Sequence, residues 1–320
     1  MRYTLKQIGV RPWTLSYLSI DLIESHYENN YGGAMRRLNA VTEQLEALDL
    51  EKAPGHLLNA LKREQLAALN STLLHELYFA GLGGDGQPTK AMTEILAAHF
   101  GSYERWRAEF RAMGYALGGG SGWVLLSYVP RDGSLINQYA GEHSQALAGA
   151  IPILALDMYE HAYHRDFGAD ANAYVDVFLR NIDWPALERR WQDAAQAPKP
   201  RRVEQPEFGD IEGIGVEQVN EMIAAGKPVQ VIDVRPRASL LRAHDIADGV
   251  QWRDPEQLQQ WIGELSKSEP VVVYCAYGFH VGCRTAIRLR EAGFDAKYMN
   301  SGHSGWKAIG APLRLAKTPA

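Results

Sequence analysis

Apolar residues recur at helical spacing over much of the chain up to residue 117. The pattern predicts four helical stretches, at residues 16–48, 61–82, 89–99 and 103–117. The pair Gly32-Gly33 predicts a break or kink between two helical segments of the first stretch. One apolar stripe is predicted on the second stretch, formed by Leu66, Leu69, Leu73 and Leu77.

The pattern changes after Gly118-Gly119-Gly120. Residues 123–129 form an apolar, β-rich run closed by the turn signal Pro130-Arg131-Asp132-Gly133, and residues 135–139 are its predicted hairpin partner. A third apolar run covers residues 151–156, and helical spacing then returns as far as Leu179 and again to Trp191. Helices followed by a small sheet predict an α+β domain.

The segment from Ala194 to Pro206 has three prolines, several charges and no apolar periodicity. Because such a segment cannot add to a packed core, we predict a first domain at 1–193, a linker at 194–210 and a second domain at 211–320. The second domain alternates predicted helices with predicted strands, which indicates an α/β fold whose parallel sheet carries helices on both faces. The helices are 216–224, 255–265 and 281–292, and the strands are 229–234, 270–274 and 296–300.

Length and charge restrict the function. A chain of 320 residues exceeds the usual size of one hydrophobic core, which agrees with two domains. The net charge of -5 disfavours nucleic acid or a membrane surface as partner, so small molecules are expected. The N-terminus lacks an apolar signal region and no apolar run is long enough to span a bilayer, which predicts a cytoplasmic protein.

Four residues of the first domain are of types that bind transition metals. His26 and His75 lie on predicted helices, and Asp157 and His161 follow the third apolar run. Three imidazoles and one carboxylate suit a mid-row metal that cycles between two oxidation states. A single helical histidine is more often a core or surface residue, so the residue types alone leave that alternative open.

Residues 14–191 resemble the iron/manganese superoxide dismutase family. The resemblance is carried by His26-Tyr27 with Leu38-Asn39, by His75-Glu76-Leu77-Tyr78-Phe79 followed by Gly83, Gly84 and Pro88, by Gly120-Ser121-Gly122-Trp123, and by residues 151–157 continuing into Glu160-His161-Ala162-Tyr163. It implies one Fe or Mn ion per chain, bound by His26, His75, Asp157 and His161. It also implies superoxide as the substrate, which is converted to dioxygen and hydrogen peroxide.

The same resemblance implies roles for two more residues. His143 occupies about the place of the family's Gln or His that holds a solvent molecule on the metal, and the alternative is an exposed loop histidine. Glu160 corresponds to a glutamate that reaches the ligand histidine of the other subunit, which implies a homodimer. Its alternative role is an acid that favours a helix N-terminus.

The chain departs from the family pattern near the expected substrate entrance. Asn30 and Ala34 stand where the family usually has His and Tyr, Tyr159 replaces the hallmark Trp, and His164 replaces a second Tyr. The loss of the phenol at position 34 predicts wider access to the metal and slower protonation of the product. Two interpretations therefore stay open, a superoxide dismutase and a degenerate metal-binding protein.

In the second domain, Cys275 ends a predicted buried strand and precedes a glycine-containing loop and a helix. Such a loop directs backbone N–H groups at the sulfur and favours a thiolate nucleophile. A buried structural cysteine is the alternative for Cys275, and Cys283 on the following helix is predicted to be a packing residue.

Residues 211–313 resemble a single rhodanese domain. The matching segments are Val231-Ile232-Asp233-Val234-Arg235, Cys275 at the catalytic position, and Gly302-His303-Ser304-Gly305-Trp306 with Pro312. The resemblance implies that Cys275 carries sulfur as a persulfide, taken from thiosulfate or another sulfane sulfur donor. Because His280 replaces the usual Arg of the loop, a regulatory or sensing role stays open beside sulfur transfer.

Overall fold

The computed structural model describes residues 2–198, 208–209 and 211–316. The chain divides into two compact units, Met1–Pro200 and Arg201–Ala320. Most of the predicted linker, at 199–207 and 210, lies outside the described residues, so the predicted domain limits stay a prediction. No helix in the described part of the chain is long and apolar enough to cross a membrane.

The first unit begins with helices. A helix α1 (Ile20–Ser25) passes directly into a π-helical turn (His26–Tyr31) and then into α2 (Gly32–Glu46). The chain is not broken at Gly32, which has ordinary helical angles of φ -61° and ψ -37°. The helical geometry is irregular just before Gly32, in the π-helical turn His26–Tyr31. The next helices are α3 (Gly55–Ala80), α4 (Lys90–Phe100) and α5 (Tyr103–Ala116).

The inner face of α3 differs from the predicted leucine stripe. Leu66 and Leu73 are 47% and 49% exposed, so the stripe is wrong at these two positions. The buried face instead includes Ser71, Thr72 and His75. Two of these buried side chains form hydrogen bonds with backbone oxygens of α3. The hydroxyl of Thr72 donates to Ala68, and the ring of His75 donates to Ser71.

A three-stranded antiparallel sheet forms the centre of the first unit. Its strands are β1 (Trp123–Val129), β2 (Ser134–Ala140) and β3 (Ile151–Asp157), in the order β2-β1-β3. Trp123 at the start of β1 pairs with Asp157 at the end of β3, so these two residues lie side by side. The helices α6 (His164–Phe167), α7 (Ala171–Arg180) and α8 (Trp184–Ala195) complete the unit and confirm the predicted α+β class.

The second unit has a five-stranded parallel sheet, whose strands lie in the order β4 (Gly213–Ile214), β9 (Ala296–Met299), β8 (Val271–Tyr274), β5 (Gln230–Asp233) and β7 (Gln251–Trp252). Val271 and Val273 pack into one buried cluster, whereas Val272 and Tyr274 pack into another. Both faces of the sheet are therefore covered, as predicted for an α/β domain. The elements are β4 (Gly213–Ile214), α9 (Val216–Ala224), β5 (Gln230–Asp233), α10 (Arg237–Ala243), β6 (Asp245–Ala247), β7 (Gln251–Trp252), α11 (Leu258–Trp261), β8 (Val271–Tyr274), α12 (His280–Glu291), β9 (Ala296–Met299), α13 (Gly302–Ala308) and β10 (Leu313–Leu315).

Two parts of the second unit differ from the prediction. The expected helix 255–265 is divided into a 3-10 turn, the short α11 and a second 3-10 turn. The sequence pattern also missed α10, α13, the sheet strands β4 and β7, and the antiparallel pair β6 and β10, because these elements are too short to show a period.

Candidate metal centre

Four side chains from separate elements converge in the first unit. His26 is the first residue of the π-helical turn, His75 lies near the end of α3, Asp157 ends β3, and His161 lies in the 3-10 turn Glu160–Ala162. The Nε2 atoms of His26, His161 and His75 lie 3.1, 3.2 and 3.6 Å from Oδ2 of Asp157. One nitrogen or oxygen from each of the four lies within 4.8 Å of the others.

The cluster is closed on most sides and open on one. The side chains of His26 and Asp157 are fully buried and that of His75 is 2% exposed, whereas the side chain of His161 is 25% exposed. Among the four, His161 therefore has the side chain most exposed to solvent.

The carboxyl group of Asp157 is held in its ionised form. Burial by itself would raise the pKa of Asp157, but the charge and hydrogen bonds of His161 and His26 outweigh burial. The pKa of this carboxyl therefore lies well below its ordinary value. An ionised carboxylate enclosed among three imidazoles is an arrangement suited to a cation.

The proton on His75 is located by its neighbour in α3. Nδ1 of His75 donates to the backbone oxygen of Ser71 at 2.6 Å, so Nε2 of the neutral ring keeps a lone pair. Burial is the main cause that lowers the pKa of His75 to about 3, with His26 adding to it, so the ring is neutral at physiological pH. The lone pair faces Asp157 and His161, which is the orientation that a metal ligand requires.

His26 lies among aromatic rings. Its ring centroid is 4.9 Å from that of Tyr78 and 5.1 Å from that of Phe79. Burial lowers the pKa of His26 despite the opposing effect of Asp157. Nε2 of His26 faces the cluster, because it lies 3.1 Å from Oδ2 of Asp157. Nδ1 points away from the cluster and has no hydrogen-bond partner within the described residues.

His143 is fixed beside the cluster by three contacts. The indole Nε1 of Trp123 donates to Nδ1 of His143 at 3.0 Å, the amide of Asn70 donates to its backbone oxygen at 2.7 Å, and its ring stacks on Tyr159 at 4.7 Å. Because Nδ1 accepts, the neutral ring carries its hydrogen on Nε2. Burial lowers the pKa of His143 and favours this neutral form. His143 therefore offers a hydrogen-bond donor next to His75, whose ring centroid is 6.3 Å away.

A cavity of about 210 Å³ leads from exposed residues to His75. Small and amide side chains line most of it, because Ala34 and Asn30 stand at the positions where the resemblance expects larger groups. The full lining is Asn29, Asn30, Gly33, Ala34, Arg37, Ala67, Ala68, Ser71, His75, His143 and His161. We call this cavity the mouth.

Neither His164 nor Tyr31 takes the place of the missing phenol in the mouth. His164 is exposed on α6 and does not line the mouth. The hydroxyl of Tyr31 donates to Glu76 at 3.0 Å and accepts from the backbone N–H of Lys6 at 2.8 Å. Tyr31 does not line the mouth but a second, mainly apolar cavity of about 570 Å³, which His143 also lines.

Glu160 lies beside His161 on the surface. Its side chain is exposed, and it forms no hydrogen bond or ion pair with another described residue. The carboxylate is therefore accessible in a single chain.

The predicted nucleophile of the second unit is enclosed. Cys275 follows β8 and is 6% exposed, and its thiol donates to the backbone oxygen of Phe279 at 3.7 Å. The same oxygen accepts from the backbone N–H of the buried Cys283 at 3.1 Å. His280 begins α12, is exposed, and meets the ring of Phe208 edge-on at 5.4 Å.

The structure brings together the four predicted ligands and places His143 next to them, whereas Cys275 and His280 belong to the other unit. The contacts of Trp123 and Asn70 with His143 were not predicted from the sequence. Trp123 could have been found, because the Gly-Ser-Gly-Trp motif already marked it. Asn70 precedes His143 by 73 residues and carries no local signal.

Two family models match the chain. Residues 88–190 match the model of the iron/manganese superoxide dismutases, C-terminal domain, and residues 215–309 match that of the rhodanese-like domain.

The chain is also similar to individual superoxide dismutases. An iron superoxide dismutase of Cupriavidus metallidurans is 56% identical over 196 residues, which is 61% of this chain and 100% of that protein. An iron superoxide dismutase of Aquifex aeolicus is 31% identical over 59% of this chain and 91% of its own length. A manganese superoxide dismutase of Halobacterium salinarum is 42% identical over 39% of this chain and 62% of its own length.

Proposed function

Since the chain belongs to the iron/manganese superoxide dismutase family and carries a rhodanese-like domain at residues 215–309, we propose that its first unit binds one Fe or Mn ion and dismutates superoxide. The proposed ligands are His26, His75, Asp157 and His161. The observation that carries the proposal is their convergence within 4.8 Å in a site that is buried except at His161.

The donor set fits iron or manganese. Three imidazole nitrogens and one carboxylate oxygen are ligands that mid-row divalent and trivalent metals accept, and relatives of both metal types share the family. The protonation states agree with this role, because Asp157 is ionised and Nε2 of His75 has a lone pair. A bound ion would supply the one-electron exchange that converts two superoxide ions and two protons into dioxygen and hydrogen peroxide.

The residues around the ligands orient the imidazole rings and determine which ring nitrogen carries the hydrogen. The carbonyl of Ser71 fixes the ring of His75 through Nδ1, which keeps Nε2 aimed at the site. The indole of Trp123 fixes His143 so that its Nε2–H is free to hydrogen-bond a solvent or substrate molecule in the mouth. Tyr159 stacks on both His143 and His161, at 4.7 and 5.5 Å, and holds the two rings at a fixed separation.

The test is metal analysis of the purified full chain together with a superoxide assay. The proposal expects one Fe or Mn per chain and dismutation that depends on the loaded metal. Full metal loading without dismutation would favour the degenerate metal-binding protein, and absence of stoichiometric metal would contradict the site itself.

A homodimer formed through Glu160 is part of the proposal. The exposed carboxylate next to His161 is placed to accept a hydrogen bond from a partner subunit, as the resemblance implies. Sedimentation analysis of the native chain and of Glu160→Gln tests this, and a monomeric native chain would contradict it.

Sulfur transfer by Cys275 is a second candidate function, supported by the match to a rhodanese-like domain and by the position of the cysteine between β8 and α12. The contact between Sγ and the oxygen of Phe279 has to be given up before the sulfur can carry a persulfide. Mass spectrometry after incubation with thiosulfate, with Cys275→Ser as the blank, tests it. Absence of an adduct with every sulfane sulfur donor would favour a regulatory role.

A further inference from the structure

The mouth contains a single strong positive charge. Of the described residues that line it, Arg37 alone is a lysine or arginine, and none is an aspartate or glutamate. Beside the proposed metal ion, the guanidinium of Arg37 is therefore the charge among these residues that attracts an anion entering the mouth.

Arg37 lines the same cavity as the two imidazole rings of His143 and His161. The side chain of Arg37 is 62% exposed and lies on α2, one turn beyond Ala34. Because Ala34 is small, no side chain at that position screens the guanidinium from the mouth.

A carboxylate on the neighbouring helix balances this charge. Arg37 forms an ion pair with Glu64 of α3, whose side chain is 33% exposed and does not line the mouth. Glu64 thus lies behind the guanidinium and weakens its field without blocking the approach. Pairs of this kind are held loosely, so the guanidinium can exchange between Glu64 and an incoming anion.

From these contacts we propose that Arg37 recruits small monovalent anions to the mouth and that Glu64 tunes this recruitment. The inference rests on the proposed function, because it names the group that attracts superoxide in a chain whose mouth lacks the larger residues at 30 and 34. Arg37 acts as a specificity-determining residue at the mouth and does not bind the metal.

The experiment compares Arg37→Gln, Glu64→Gln and Arg36→Gln in the metal-loaded full chain. Arg36→Gln is the matched control, since Arg36 is exposed on the same turn, carries the same charge and does not line the mouth. Two quantities are measured for each, the affinity for azide by calorimetric titration and the ionic-strength dependence of kcat/KM for superoxide.

Arg37→Gln should weaken azide binding and lower kcat/KM at low salt by roughly two- to fivefold, as expected for one mostly exposed charge. It should also flatten the decrease of kcat/KM with ionic strength. Glu64→Gln should change both quantities in the opposite direction, and Arg36→Gln should change them less. Equal effects of Arg36→Gln and Arg37→Gln would show that only net charge matters and would overturn the inference.

The azide measurement does not depend on turnover. If the loaded chain binds azide in the expected order but does not dismutate superoxide, the proposed function fails while the role of Arg37 in anion recruitment stands. If the chain dismutates superoxide but Arg37→Gln binds azide as the native chain does, the proposed function stands and the inference about Arg37 fails.

Discussion

Replacing His161 by alanine is expected to abolish metal binding and to leave the metal-free first unit folded. His161 suits this test because its side chain is 25% exposed, whereas those of His26 and Asp157 are fully buried. Truncation of a buried ligand would leave a cavity and unpaired polar groups in the core. Truncation at 161 removes a side chain at the open side of the site, so loss of metal can be separated from loss of fold.

The magnitude follows from the stabilisation that a bound metal gives to the native state. At a free metal concentration about a thousand times the dissociation constant, binding stabilises the folded protein by about 4 kcal/mol. For a unit of this size, such a change corresponds to a Tm increase of roughly 8 to 16 °C. The native chain should show this increase on metal loading, and His161→Ala should lose most of it.

The assay is a thermal unfolding scan of metal-free and metal-loaded protein, with metal content measured on the same samples. His164→Ala is the control, because His164 lies three residues further on, is exposed and does not line the mouth. The control should keep both the metal and the Tm increase. Full metal content together with an undiminished Tm increase in His161→Ala would refute the assignment of this ligand.

Three further outcomes are expected. Ala34→Tyr should accelerate dismutation, because the cavity of about 210 Å³ has room for a ring that narrows the approach, and an equal or slower rate would contradict the predicted role of the missing phenol. Trp123→Phe should slow dismutation at unchanged metal content and destabilise the first unit by about 1–3 kcal/mol, because His143 loses its buried donor, and unchanged kinetics would argue against His143. Ser301→Gly should stabilise the second unit by about 1 kcal/mol in denaturant unfolding, since Ser301 has a φ of 62°, and a loss of stability would show that its side chain is needed.

The sequence predicted most elements that have a strong period or a clear boundary. The strand Trp123–Val129 and the helix Val216–Ala224 have the predicted bounds, and both are flanked by glycines or turn residues that mark their ends. Gly32 was misleading, because two adjacent glycines suggest a break, yet the buried residues that follow in α2 keep the chain helical there. Local propensity was overridden by tertiary packing at this position.

The candidate site was predictable as a set of residue types and not as a geometry. The four proposed ligands could be named because the motifs that contain them are specific. The mouth could not be described, because its walls combine positions such as Asn30 and Ala67 that have no periodic or chemical signal in the sequence. The inward orientation of Ser71 was likewise hidden, since a serine on a helix is usually solvent-exposed.

The π-helical turn at His26–Tyr31 has a consequence for how this part of the chain tolerates insertions and deletions. Such a turn accommodates one more residue than an α-helical turn, while the helix continues on both sides. Deleting one residue within it would tighten the turn to ordinary α-helix and would leave the face that α2 presents to the core unchanged.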